Sequence, residues 1–392
     1  MVHARAMNAA APAEAPLAAR PVPLLLWHLG RRGAGPLYTY ELAKVLRDVE
    51  GLSVHLCLSR QSDYFEQTVA LGLPLLAVDT YRDLSSAALA TLRLGGVRRR
   101  LRDYVAKHGI EVALCTMAHL WNPLLVPALR RGGARNLLVM HDATAHPGEN
   151  YGIRNLMFER DMRVADGIVA LTEAVREQLI ATYAYPRERT WVVPCGGFVY
   201  GDAAPGPRRL KPGRRPRLLF FGRILPYKGL AILSEAIGLL KSEGLSVDLD
   251  VVGHGDLGTV RLPEGTRVVN RWIREEEVAG FFRDADLMVL PYVEASQSGV
   301  LAVSNPLGIP AVVTPAGGLA EQIGHGAAGF VTRDTTPAAI AEGIRELLTD
   351  PEAYARASRA ALELATGPMS WARIGESIAQ IAATVAALDR RA

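Results

Sequence analysis

One pattern restricts the fold of this chain more than any other, and it occurs twice. The apolar run PVPLLLWH leads into the glycine-rich LGRRGAGP. A helical pattern follows in LYTYELAKVLRDV, where Leu37, Tyr40, Glu41 and Lys44 recur at helical spacing, and then a second apolar run, LSVHLCLS. Far downstream the order returns as RLLFFG, a helical pattern from Lys228 to Ser242, and SVDLDVVG. Short apolar runs without alternation suit strands buried on both faces, and helices between them suit parallel pairing. Further strands are expected at 74–78, 111–115, 136–140, 167–170 and 190–193, then at 266–269, 287–290, 310–314 and 328–331. Such repetition predicts two α/β units, each a doubly wound, Rossmann-like sheet.

A chain of 392 residues exceeds what one ordinary core organises, so two domains are expected. The predicted division is a disordered tail over 1–21, a first domain over 22–194, a linker over 195–215 and a second domain over 216–370. A last helix over 371–392 is expected to pack back toward the first domain. The linker is marked by GGFVYGDAAPGPRRLKPGRRPR, rich in Gly, Pro and Arg and poor in apolar periodicity.

With 49% apolar and 21% charged residues the composition is that of a globular protein, and no apolar run approaches the roughly 20 residues of a membrane span. The Ala- and Pro-rich start contains Glu14 and lacks the apolar core of a signal peptide. Cys57, Cys115 and Cys195 are few, odd in number and scattered, which predicts a reducing cytoplasm and neither a disulfide framework nor a zinc site. Charge is uneven: 28 Lys and Arg face 19 Asp and Glu up to Arg215, against 16 and 21 beyond it. The two halves are therefore expected to meet different partners.

In an open α/β sheet, ligands bind beyond the C-terminal ends of strands, so loops that follow strands are where chemistry is sought. In FFGRILPYKG, Gly222 ends a strand, Arg223 follows and Lys228 opens the next helical pattern. Two cations at a helix start make a diphosphate receptor; two solvated surface charges are the competing reading. VVGHGD places Gly253 after another strand, where a plain turn competes with a ligand contact. In LPYVEASQSGV, Glu294 precedes Ser296, Ser298, Gly299 and Val300, small residues that would let an anion approach a helix N-terminus. PAGGLAEQI carries Glu321 into a short helix in the same way.

Taken in order, FGRxxPYKG, VVGxGD, LPYxEASQSG, GIPAVVTPAGGLAE and AAGFV resemble the C-terminal domain of family-4 retaining glycosyltransferases of the GT-B fold, in the variant found in exopolysaccharide biosynthesis. GRRGAG, VMHDATAHPGE and VPCGG are similar to elements of the N-terminal domain, so the likeness spans nearly the whole chain. The resemblance implies two Rossmann-like domains facing a central cleft. It also implies transfer of a sugar from a nucleotide-diphosphate donor to a saccharide or lipid-linked saccharide, without a metal or other cofactor. Under it, Arg223 and Lys228 would hold the diphosphate, Glu294 and His141 would approach the transferred sugar, and Gly222, Gly253, Ser298, Gly299 and Val300 would surround the donor. Gly33 and Gly35 would line the cleft from the first domain.

One departure stands out. The family pattern has a second glutamate, eight positions after the first; here that position is Ala302, followed by Val303. A silent binding or scaffold protein therefore remains an alternative, and a sugar-nucleotide epimerase of the same architecture is another. The DLD of Asp248 to Asp250 and the DAD of Asp284 to Asp286 sit within a strand and at a helix end, so neither presents metal-binding carboxylates to a cleft. His119 follows a strand and is read as a core histidine that could reach the acceptor side. Residues 94–109 place Arg98, Arg99, Arg100 and Arg102 beside Val97, Leu101 and Val105. That basic amphipathic helix suits an anionic membrane surface on the cytoplasmic side; a solvated charged face is the alternative. Nucleic acid is not expected, because aromatic residues are not interleaved with the arginines.

Overall fold

A computed structural model describes residues 20–81, 92–144, 151–201 and 206–388, with backbone alone for 151–154. The predicted tail lies almost wholly outside the described residues, as does the stretch HPGEN within 145–150. The first sheet contains β1 (Val22–His28), β2 (Leu52–Ser59), β3 (Leu75–Val78), β4 (Val112–Cys115), β5 (Arg135–Met140), β6 (Gly167–Ala170) and β7 (Thr190–Val192). The second contains β8 (Arg217–Phe221), β9 (Asp248–Gly253), β10 (Arg267–Asn270), β11 (Leu287–Leu290), β12 (Ala311–Val313) and β13 (Gly329–Val331). Their spatial orders are β3-β2-β1-β4-β5-β6-β7 and β10-β9-β8-β11-β12-β13. Every ladder is parallel. These are the two doubly wound α/β domains that the apolar runs and their spacing predict, arranged as the resemblance to the GT-B fold implies.

The reason is visible in β1, where Leu24, Leu25, Leu26 and Trp27 are all fully buried. Helices cover both faces of the sheet, so a strand cannot afford polar alternation. The exception is β10, an edge strand whose Arg267, Val268 and Asn270 are exposed. Strand order reverses between β1 and β4 and again between β8 and β11, opening a crevice at the C-terminal end of each sheet.

The two domains are tied at several places. The helix Trp371–Ala387 lies against the first-domain helix Ala34–Leu46 so closely that a Cβ on Gly375 would fall 2.3 Å from Val45 Cγ1. Trp371 Nε1 donates to Gly197 O at 2.8 Å, and Phe198 N donates to Ala302 O at 2.8 Å. Glu321 reaches across to accept hydrogen bonds from the amides of Glu173 and Ala174, at 2.7 and 2.9 Å. Those amides begin the helix Glu173–Tyr183, where a carboxylate satisfies orphan N–H groups and complements the helix dipole. Arg208, in the connecting segment, is bound to the second domain through Leu307 O at 2.9 Å and Ala285 O at 2.8 Å.

Candidate active site

A cavity of about 380 Å³ lies between the domains. The second domain contributes Gly222, Arg223, Lys228, Tyr292, Gln297, Ser298, Gly299, Val300 and Val303 to its wall. The first contributes Ala34, Leu37 and Asp142, and the connecting segment adds Phe198 and Tyr200. It opens at the β8–β11 switch point, where the topology places a ligand.

Lys228 is the best-fixed cation in this wall. Its side chain is buried, and Nζ donates to Tyr292 Oη at 2.8 Å while lying 4.4 Å from the Tyr292 ring centroid. The turn that carries it is held from both sides. Val293 N donates to Tyr227 O at 2.8 Å, and Gly229 (φ 71°) passes so close to β11 that a Cβ there would sit 1.9 Å from Pro291 O. The sequence reading has Lys228 opening the helix, and here the structure differs. Pro226–Lys228 form a separate 3-10 turn, the left-handed Gly229 interrupts, and the helix proper is Leu230–Ser242. The amide of Lys228 bonds to Leu225 O, so this residue offers a side-chain charge and no helix-start amide.

Among the described residues no carboxylate pairs with Lys228. A buried ammonium met by a phenol oxygen and the ring faces of Tyr292 and Tyr227 is costly unless an anion joins it. Arg223 brings a second, exposed guanidinium to the same wall. Gly222 adopts a left-handed backbone (φ 110°) in this wall, and a Cβ there would only touch Lys228 Nζ at 3.6 Å, so its requirement is conformational.

Opposite lies the turn into the helix Gly299–Ser304. The free amides expected there are only partly present. Ser298 N donates to Gln322 Oε1 at 2.7 Å, Gln322 Nε2 returns a bond to Ser298 O at 3.1 Å, and Ser298 Oγ caps Val300 N at 3.3 Å. The amide of Gly299 has no acceptor among the described residues. Ser298 therefore shapes the turn, and Gly299 presents the donor. Gln297 lines the cavity with its Oε1 buried and unpartnered, an acceptor suited to a ligand hydroxyl.

Other sequence-selected residues stand elsewhere. Glu294 is half-buried and does not line the cavity, although its neighbour Ala295 does. Gly253 (φ 150°) is a packing glycine: a Cβ would lie 1.8 Å from Gly222 O, because β8 and β9 converge there. Gly35 supports the fold in a similar way, since a Cβ would meet His28 Cε1 at 2.7 Å. Gly33 (φ 87°) precedes the helix Ala34–Leu46 and is exposed, outside the wall that Ala34 and Leu37 form. Ala302 buries its methyl group in the core, while Val303 faces the cavity.

His141 follows β5 and packs edge-on against Tyr38, with ring centroids 5.3 Å apart. Its Nε2 meets Thr116 O at 3.0 Å, so that nitrogen carries the proton and donates. Burial holds its pKa below the usual histidine value, against the opposing pull of the Thr116 bond and of Asp142. Burial likewise pushes His28 down to about 3, helped by the charges of His119 and His141, and His119 down to about 4, helped by Arg31. These histidines are neutral at pH 7. His119 is satisfied by Tyr81 Oη at 3.2 Å and Trp121 N at 3.2 Å, as a core histidine should be.

The two DxD-like pairs face away from the cavity. Asp250 is paired with Arg217 at 3.2 Å and Arg267 at 3.6 Å, and Asp286 with Arg214 at 2.6 Å. Sequence reasoning does not single out Tyr292, Gln297 or Gln322. Tyr292 carries a signal, an aromatic ending a buried strand; the two glutamines carry none.

A family model described as Glycosyltransferase Family 4 matches residues 36–196, and one described as Glycosyl transferases group 1 matches residues 215–350. A D-inositol 3-phosphate glycosyltransferase of Arthrobacter sp. (strain FB24) is 27% identical over 270 residues, covering 64% of this chain and 62% of that one. The chain spans about half to three-fifths of the length of the curated relatives it matches. Among solved structures, Anabaena Alr3699/HepE in complex with UDP has a TM-score of 0.68 at 17% identity, covering 93% of this chain and 100% of that one. The sucrose-phosphate synthase of Thermosynechococcus elongatus has a TM-score of 0.67 at 17% identity, covering 94% and 100%. With both domains matched in order and the sheets arranged as described, the chain belongs to the group 1 and family 4 glycosyltransferases of the GT-B fold.

Proposed function

We propose that the protein transfers a sugar from a nucleotide-diphosphate donor to a hydroxyl of a saccharide or lipid-linked saccharide, with retained anomeric configuration and no metal. The role would lie in surface or exopolysaccharide synthesis, at the cytoplasmic face of a membrane. The carrying observation is Lys228, a buried cation without a carboxylate partner among the described residues, in the cavity wall beside Arg223. The names of the relatives and the UDP held by Alr3699/HepE support a nucleotide-sugar donor.

In this reading the bond between the anomeric carbon and the departing phosphate oxygen breaks, and a bond from that carbon to the acceptor oxygen forms on the same face. The acceptor proton passes to the departing phosphate oxygen. Lys228 and Arg223 neutralise the charge developing on that oxygen, where fixed cations lower a barrier most. Gly299 N would donate to the same diphosphate, and Gln297 would accept from a sugar hydroxyl. His141 donates through Nε2 to Thr116 O and does not itself line the cavity, though its neighbour Asp142 does; its approach to the sugar would rest on Nδ1. Walls contributed by both domains would exclude water from the reactive donor.

The test is product analysis with UDP- and GDP-sugars, with and without saccharide and lipid-linked acceptors. New glycoside with the donor's anomeric proton coupling, formed only when acceptor is present, is expected. A new sugar nucleotide formed from donor alone would establish the epimerase instead. No turnover and no nucleotide binding by folded protein would establish the scaffold.

A further inference from the structure

The arginines of the helix Leu94–His108 are not equivalent. Arg98, Arg99 and Arg102 share one helix face with Gly95, and Arg131 joins them from the helix Asn122–Gly132. Together with Ala128 they enclose a shallow depression of about 260 Å³. Gly95 and Ala128 keep its floor low, and a Cβ on Gly95 would meet nothing within 4 Å. No acidic residue among the described residues lines it. Arg102 pairs with Asp103 at 2.7 Å; Arg98, Arg99 and Arg131 have no acidic partner among the described residues.

The neighbouring arginines in each run are otherwise engaged. Arg100 donates to Ala77 O at 3.1 Å, and Arg130 pairs with Asp166 at 2.7 Å while donating to Val164 O at 3.2 Å. Exposed leucines lie on the same helices or just before them: Leu92 at 82%, Leu120 at 52% and Leu124 at 45%. Leu124, Ala128 and Arg131 follow one another at helical spacing along one face, and Leu92 precedes Gly95 by three residues. Leu124 therefore shares the helix face that carries Ala128 and Arg131 to the basin.

We propose that this face docks on an anionic phospholipid bilayer, with Arg98, Arg99, Arg102 and Arg131 on headgroup phosphates and the leucines in the interface. Charge complementarity selects an anionic partner, and the exposed leucines favour a membrane over a soluble phosphate, which would leave them in water. The proposal deepens the lipid-linked acceptor reading and rests on it for purpose. Its test measures binding without turnover, so failure of one is distinguishable from failure of the other.

The experiment is co-sedimentation of the full chain with phosphatidylcholine vesicles, with and without phosphatidylglycerol. Each basic residue at such a surface contributes about fivefold in partitioning. The triple variant R98Q/R99Q/R131Q is expected to lose about a hundredfold in binding to anionic vesicles. The variant R100Q/R130Q, with circular dichroism verifying its fold, is expected to change by less than about threefold, and L120S/L124S to weaken binding at unchanged charge. Equal losses in both arginine variants, or equal binding to pure phosphatidylcholine, would overturn the proposal. So would stabilisation by inorganic phosphate, in a thermal melt, of a protein that ignores anionic vesicles, since that assigns the basin to a soluble anion.

Discussion

Lys228 and Asp161 are both buried charges without an opposite charge beside them among the described residues, and they lead to different predictions. Lys228 faces the cavity, so its cost is relieved by an anionic ligand. Lys228→Ala is expected to lose at least tenfold in turnover, a loss of more than about 1.4 kcal/mol of transition-state stabilisation, with the fold retained. Steady-state kinetics with the best donor checks it, and unchanged turnover would exclude Lys228 from the diphosphate site. Asp161 has both carboxylate oxygens buried and unpartnered, and burial raises its pKa to about 7. Between the usual carboxylate range and about 7 the native state holds a proton that the unfolded chain has released. Its contribution is therefore present at low pH and lost as pH rises through about 7. Asp161→Asn is expected to stabilise the protein at neutral pH, by up to about 3–4 kcal/mol, and by much less near pH 4. Urea titrations of both proteins across that range check the sign. Legibility at this scale follows chemistry. Arg223, Lys228 and Gly222 can be found because cations and glycine after a buried strand point to an anion. Gln322 escapes because what it does, holding Ser298 by two hydrogen bonds, depends on residues 24 positions away.

The strands are legible because burial on both faces writes an unbroken apolar run, and most boundaries fall within a residue or two of 287–290, 167–170 and their like. Turns are harder to read. A glycine after a strand announces a close approach without saying to what, so Gly253 and Gly35 point to the cleft when their neighbours are Gly222 O and His28. Gly229 gives no such announcement, yet it ends the 3-10 turn and sets where Lys228 stands. Gly253→Ala combines a φ of 150° with a Cβ 1.8 Å from a backbone oxygen. It is expected to destabilise the second domain by more than about 3 kcal/mol, measured by urea denaturation. An unchanged midpoint would mean that β8 and β9 separate at little cost.

At the scale of the molecule, the repeated strand–turn–helix order is enough to read two doubly wound domains, while the contacts joining them are invisible. In the sequence Glu321 is a helix residue near a glycine turn; only the assembled fold shows it capping the first-domain helix Glu173–Tyr183. Glu321→Ala should loosen this contact by about 1 kcal/mol, the value of a partly exposed cap. Small-angle scattering is expected to show a larger radius of gyration for that variant without ligand and a smaller difference when UDP or GDP is bound. Identical scattering in both states would mean that the domains are held elsewhere. The central claim is that a nucleoside diphosphate lies between the domains on Lys228, Arg223 and Gly299. Calorimetric titration with UDP, GDP and their monophosphates tests it most directly. The account predicts that one diphosphate binds at least tenfold more tightly than its monophosphate and that Lys228→Ala removes this preference. Binding of neither diphosphate by the folded protein, or a preference that survives in Lys228→Ala, would contradict it.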